Sequence, residues 1–221
     1  MGSAIGQILA PAIGVAISPV PIIAVILMLF SNHATRNSVS FAIGWLAGLT
    51  AAGFIVLSLD VETSDGDPSD TSGWIKVVLG VLLLGLGVRN WRSRPRDGEE
   101  PETPGWMEAI DEFSAVKSLG LGVLLSAVNP KNLALTISAA VTITNSDLSS
   151  GDQAVVMIVF VLIASVTIIL PVLVNLIMGE KADAGLTSMK EWLNTNNATV
   201  MSVLFLVFGA KVLGDGLAIL L

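Results

Sequence analysis

Few residues of this 221-residue chain can do chemistry, and those few lie inside apolar sequence. Asn129-Pro130-Lys131-Asn132 interrupts the run 118–144, where Lys131 is the single charge. A lysine at the centre of a bilayer costs ~2.5–3.5 kcal/mol on insertion scales, so it faces a partner or a wet cavity. Its ammonium has two alternative uses here. With the amides of Asn129 and Asn132 it can bind an anionic head group, or it can cap carbonyls that proline breaks set free. Lys131 is also a candidate proton carrier. A second proline-broken stretch, Ser18-Pro19-Val20-Pro21, lies in the run 5–30. Lys211 and Asp215 stand four apart on one helix face. They form either a structural ion pair or a gating or proton-coupling site. Arg36 and Asn175, the latter beside a kink at Pro171, are further candidates for coupling or gating.

Much other chemistry is excluded. The chain has no Cys, which removes disulfides, thiolate metal sites and dithiol relays. One His argues against a His-built metal centre. No metal and no cofactor is expected. Eleven Lys+Arg and a net charge of −7 leave no basic surface for nucleic acid. An intramembrane enzyme would need a nucleophile or a carboxylate pair at depth, and Asp215 stands alone. No nucleotide-binding loop is present, so energy for any transport is expected from an ion gradient.

The elements that must position these residues are membrane helices. Hydrophobic residues make up 53% and charged residues 13%, against ~45–50% and ~25% in soluble domains. Mean hydropathy is +0.80. A spanning helix needs ~20 largely apolar residues. Six segments qualify: 5–30, 37–59, 74–91, 118–144, 154–178 and 198–221. The first has no positive leader and too long an apolar stretch for a signal peptide, so it reads as a retained helix. In the third, Lys76 is able to snorkel, and Trp74 and Trp91 are placed like interfacial anchors. Gly44 with Gly48, and Gly80, Gly85 and Gly87, are placed for close helix contact.

Loop charges set an expected orientation. Arg36, Arg89, Arg92, Arg94, Arg96, Lys117, Lys181 and Lys190 fall in alternate loops, against Lys76 alone on the other side. The opposite loops carry Asp60, Glu62, Asp65, Asp67 and Asp70, then Asp147 and Asp152. The Lys/Arg rule places both termini outside and the Arg-rich loop in the cytoplasm. That loop begins as linker. It then sets Trp106, Met107, Ile110, Phe113 and Val116 at helical spacing opposite Glu108, Asp111 and Glu112, which predicts a short interfacial amphipathic helix.

An internal echo organises the chain. Gly14-Val15, Ser18 and Val20 recur at constant offset in Gly122-Val123, Ser126 and Val128, and a proline follows in each. Three helices per half send the halves in from opposite sides, the sign of an inverted-topology repeat. The expected parts are residues 1–91 and 118–221, joined by a cytoplasmic linker over 92–117. At ~1.5 Å per residue, Pro19 and Pro21 lie about 20–25 Å into the first helix. Pro130 and Lys131 lie about 20 Å into the fourth. Both breaks therefore fall near the bilayer midplane. Freed backbone is tolerated there only when buried in protein or lining a cavity.

Three segments, Ile17 to Ala24, Arg36 to Gly48 and Ser126 to Leu133, with the Trp106-Met107 lead-in, resemble the GAP or sulfolipid-addressing protein (Sap) family of the LysE exporter superfamily. The resemblance runs over nearly the whole chain, and Asn-Pro-Lys-Asn is its most specific part. The wider superfamily often has Gly-Pro in helix 1, where this chain has Ser-Pro-Val-Pro. The resemblance implies export: members are linked to outward movement of glycolipids or peptidoglycolipids, and relatives carry amino acids, metal ions or other small solutes.

The expectation is therefore an all-α, multi-pass protein of the cytoplasmic membrane, with six helices in two inverted halves. It exports a lipid, glycolipid or small amphipathic or anionic solute by alternating access. Ser18, Pro19, Pro21, Asn129, Pro130, Lys131 and Asn132 are expected to bind that substrate. Two alternatives stand beside this one: a non-transporting accessory of a larger lipid-export complex, and an amino-acid or small-ion exporter. Membrane lipids are expected partners, together with a second copy of the chain or a lipid-export protein.

Overall fold

The structure, a computed structural model, describes residues 1–59, 70–94 and 109–221. The described residues are helical apart from turns and short connections, and they contain no strand. The helices are α1 (Gly2–Ala16), α2 (Pro19–Leu29), α3 (Ala34–Ser58), α4 (Asp70–Arg92), α5 (Ala115–Val123), α6 (Pro130–Thr144), α7 (Ser150–Met178) and α8 (Asp183–Leu220). A π-helical turn, Leu124–Val128, joins α5 to the break before α6.

Four of them, α3, α4, α7 and α8, are long and apolar enough to cross a membrane. Helices α1 and α2 pass that test only as a pair, bent by 54°. Residues 115–128 form a shorter apolar helix. The described residues thus hold four such helices, or five with the bent pair, and mark a membrane protein. The faces of α7 show why. Val156, Phe160, Ala164, Ile168 and Val172 are buried in the core, while Ile158, Leu162, Val166, Leu170 and Leu173 are exposed. A helix apolar on both faces has its outer face in lipid.

Small residues bring the helices together. A Cβ on Gly44 would collide with the Leu119 carbonyl, and one on Gly122 with the Phe41 carbonyl, so α3 and α5 touch backbone to backbone. A second seam joins α4 to α8. There a Cβ on Gly80 would sit 2.6 Å from the Leu213 amide nitrogen, and one on Gly216 would sit 2.8 Å from the Gly73 carbonyl oxygen. Gly73, Gly80 and Gly87 recur every seven residues and are all buried, which keeps one stripe of α4 against α8. Gly85 is exposed and has nothing near it. It faces away from the seam, contrary to its grouping with Gly80 and Gly87.

Other expectations are corrected. The last helix starts at Asp183, not at 198, and its 38 residues span about 57 Å. The apolar run marks only the part suited to lipid, while helix-forming Leu186, Met189, Lys190, Glu191 and Leu193 continue the helix beyond it. Leu186 and Leu193 bury one face of that extension. The amphipathic helix before residue 118 is also different. Trp106, Met107 and Glu108 lie outside the described residues, as do Asp60, Glu62, Asp65, Asp67 and Arg96. The described remainder is a single 3₁₀ turn, Ala109–Glu112. Ser114 then starts α5 by accepting from the Lys117 amide, so the helical phase is broken between Ile110 and Val116. Ile110 is buried and Val116 is 80% exposed. Lys76, finally, does not snorkel outward: it is 5% exposed.

The seam between α4 and α8 makes a direct prediction. Gly80→Val should lower the unfolding temperature of the detergent-solubilised protein by an overpacking cost of ~1–3 kcal/mol, and Gly85→Val should leave it unchanged. Equal effects in a thermal melt would contradict the assigned seam.

Candidate functional site: two crossed helix breaks

The first break follows from Ser18-Pro19-Val20-Pro21. Proline excludes the α conformation from the residue before it, and Ser18 is extended at φ −112, ψ 101. Pro19 then occupies the first position of α2, where its missing N–H removes no helix bond. The second break has the same logic, three residues later than the offset of the echo. Asn129 (φ −58, ψ 120) precedes Pro130, which opens α6. The Asn129 amide closes the π turn on the Leu124 carbonyl at 3.2 Å. The Asn129 side chain accepts from the Lys131 amide at 3.1 Å and caps α6.

A helix that ends in an apolar interior leaves its last carbonyls without donors. Around the end of α1 the Ser18 amide supplies one donor, to the Ala16 carbonyl at 2.9 Å, and the others come from other helices. Lys131 Nζ donates to the Gly14 carbonyl at 2.6 Å and to the Ile17 carbonyl at 3.2 Å. The two carbonyls lie one turn apart, so one ammonium reaches both. The Thr167 hydroxyl of α7 donates to the Ala16 carbonyl at 2.6 Å. The negative end of the α1 dipole also faces Lys131, which is how a buried ammonium is held without a carboxylate. Of the two uses read from the sequence, carbonyl capping is the one made in this conformation.

The breaks are also tied by their amides. Ser18 Oγ donates to Asn132 Oδ1 at 2.9 Å. Asn132 Nδ2 donates to the Leu125 carbonyl at 2.9 Å, inside the π turn. Asn132 therefore links α2's first turn, the π turn and α6. Gly14 makes this approach possible, because a Cβ there would lie 2.7 Å from Phe208 and 2.8 Å from Leu135. Ser18, Pro19, Pro21, Lys131 and Asn132 are all buried. Asn129 is half-buried, and Pro130 is exposed.

The structure thus brings Ser18, Pro19, Asn129, Pro130, Lys131 and Asn132 into one crossing, with Pro21 buried in the following turn of α2. The other candidates are elsewhere. Arg36 is exposed at the start of α3, its Nε 3.4 Å from Asn37 Oδ1. Asn175 is near the end of α7, where its carbonyl receives the Gly179 amide. Lys211 pairs with Asp215 at 2.6 Å, each about two-fifths exposed, beside Lys76, Asn145 and Gln7. Among the described residues no cluster of three metal-ligating side chains occurs.

The family model for Sap, sulfolipid-1-addressing protein, matches residues 8–218, which takes in both breaks. The chain belongs to the Sap family. No curated protein and no solved structure matches it.

Two features of this Sap-family site were less accessible to sequence reasoning. Thr167 is one of the few polar residues in the apolar run 154–178, four before Pro171, and that isolation was the available signal. The serines of the echo differ in role. Ser18 bonds across to Asn132, whereas Ser126 donates to its own helix at Val123 and packs on Gly48.

Lys131 satisfies the Gly14 and Ile17 carbonyls, whose loss of partner costs ~1–3 kcal/mol, whereas the Ala16 carbonyl also accepts from the Ser18 amide at 2.9 Å and keeps that partner without Thr167. Lys131→Met should lower the unfolding temperature of the purified protein by several degrees, and Thr167→Val by less. The half-exposed ion pair makes Lys211→Met the milder change, expected at ~0–1 kcal/mol. A melt in which Lys131→Met is the mildest of the three would refute these assignments.

Proposed function

We propose that this chain is a secondary-active exporter of the cytoplasmic membrane, of the LysE superfamily type, working by alternating access at the crossed breaks. Six crossings carry it: α1 with α2, α3, α4, α5 with α6 across the π turn, α7 and α8. They group as two inverted halves, residues 1–91 and 118–221, with the linker 92–117 and the Arg-rich loop in the cytoplasm and both termini outside. The cargo class is a lipid, glycolipid or small amphipathic solute with an anionic group. The family's description, which names a sulfolipid, supports a lipid with an acidic head.

One observation carries the reading: the two proline breaks meet and are held by exchangeable side-chain bonds. Paired broken helices are the recurrent binding element of secondary transporters. The ammonium of Lys131 can leave the Gly14 and Ile17 carbonyls for an anionic head group, and the Ser18–Asn132 bond can open with it. The first turns of α2 and α6 present positive dipole ends to the same anion. Their prolines leave only a few free N–H donors, so the side chains of Asn129, Lys131 and Asn132 do most of the binding.

The test is complementation of a deletion strain by wild type, Lys131→Ala or Lys131→Arg, with surface lipids and secreted solutes compared at equal protein levels. Wild type should restore one exported species that accumulates inside the deletion strain. Lys131→Ala should restore less than about a tenth of it, the effect of ~1.4 kcal/mol or more, and Lys131→Arg should fall between. Full export with Lys131→Ala would reject this site.

A further inference from the structure

A second polar site lies at the other end of α1, beyond the crossed breaks. Lys131 and Thr142 are eleven residues apart on α6, about 16 Å along the helix. Here Gln7 of α1, Lys76 of α4, Thr142 and Asn145 at the end of α6, and Lys211 and Asp215 of α8 surround a cavity of about 340 Å³. That volume holds far more than one water at ~30 Å³ and falls within the ~300–1,000 Å³ of small-molecule sites.

The charges in this cavity do not balance. Lys211 and Asp215 pair at 2.6 Å and cancel. Lys76 remains. It is attracted by Asp215 and repelled by Lys211, yet it has no ion pair or hydrogen bond of its own among the described residues. It is 5% exposed. Its stem is buried while its ammonium faces the cavity, and a charge in a membrane helix with no counter-charge bonded to it marks a site where one arrives. The donors are spread around the cavity: three N–H of Lys76, those of Lys211 and the Gln7 amide. Several donors at separate points suit a group with several acceptor oxygens better than a single-atom anion.

We propose that this cavity binds a small oxyanion, a carboxylate, phosphate or sulfate group borne by a lipid head or free in solution, with Lys76 as its principal counter-charge. Asp215 competes with that anion for both lysines, so the site is held at moderate affinity and releases its ligand. On the orientation given above, the cavity opens at the outer face. There it would receive an anionic head group after the midplane crossing.

The test uses the full chain in phosphatidylcholine nanodiscs and reads its unfolding temperature, which rises when a ligand binds the folded state. One arm adds sodium sulfate or sodium phosphate against sodium chloride at equal ionic strength. The other replaces part of the phosphatidylcholine with phosphatidylglycerol. Sulfate and phosphate stabilise proteins without a site, so an arm supports the site only where its stabilisation saturates with ligand and is weakened by Lys76→Met, and that arm identifies the source of the anion. Lys76→Met should weaken the apparent affinity about tenfold or more, and Asp215→Asn should tighten it by a similar factor, since a charge is removed a few ångströms from the ligand in each case. The proposal is overturned if neither arm stabilises the wild type, or if both substitutions leave the affinity unchanged or move it the same way. Binding is read without transport, so this result is independent of whether Lys131 carries cargo.

Discussion

Backbone carbonyls cannot be left bare in an apolar interior, and the core of this protein is arranged around the few that its prolines set free. Proline at 19 ends α1 at Ala16 and exposes the last carbonyls of that helix. Lys131 and Thr167 cover them from α6 and α7. The second break, at Asn129-Pro130, is what puts Lys131 within reach: the π turn and the Asn129 cap aim α6 at the end of α1. Each break thus supplies what the other lacks.

The glycine seams make that arrangement rigid where it must be and leave it free where it can move. Helices α3 and α5 are in backbone contact through Gly44, Gly48 and Gly122. Helices α4 and α8 are locked along Gly73, Gly80, Gly209 and Gly216. Close backbone packing of this kind resists sliding. The crossing between the breaks is different. It is held by a handful of side-chain hydrogen bonds whose donors can accept new partners without breaking a helix. The first place this bundle can change conformation is therefore the crossing, where Lys131, Ser18 and Asn132 make those bonds.

Much of this was legible in the sequence, because proline, glycine and an isolated lysine carry strong local constraints. Both breaks occur where Pro19 and Pro130 put them, and Gly14 and Gly122 are both close-contact positions. What the sequence left open was the partner of Lys131. Its ammonium could have met a carboxylate, a cavity or carbonyls, and only the crossing angle of α1 on α6 decides among them. Boundaries set by charge were misjudged for a related reason: α8 runs on from Asp183 because helix propensity does not stop where lipid does. Lys76 was misread because a lysine near a span's end has two physical options, outward to water or inward to a cavity. Its direction depends on how α4 turns against α8. Over the described residues 109–116 the periodic pattern is interrupted at Ser114, a capping residue.

Lys131 holds the two breaks together, and on this reading the crossing opens when it lets go. The absence of native cysteine allows a direct measurement. Ser18→Cys supplies a single thiol at the crossing, and its rate of modification by a membrane-impermeant maleimide can be followed with and without Lys131→Met. Ala164→Cys, fully buried in α7, serves as the control for global unfolding. Labelling at position 18 should be slow and should accelerate about tenfold in the Lys131→Met background, the effect of losing ~1.4 kcal/mol of closure, while position 164 stays protected. Labelling at position 18 that is equally slow in both backgrounds, or that rises only in step with position 164, would contradict this reading.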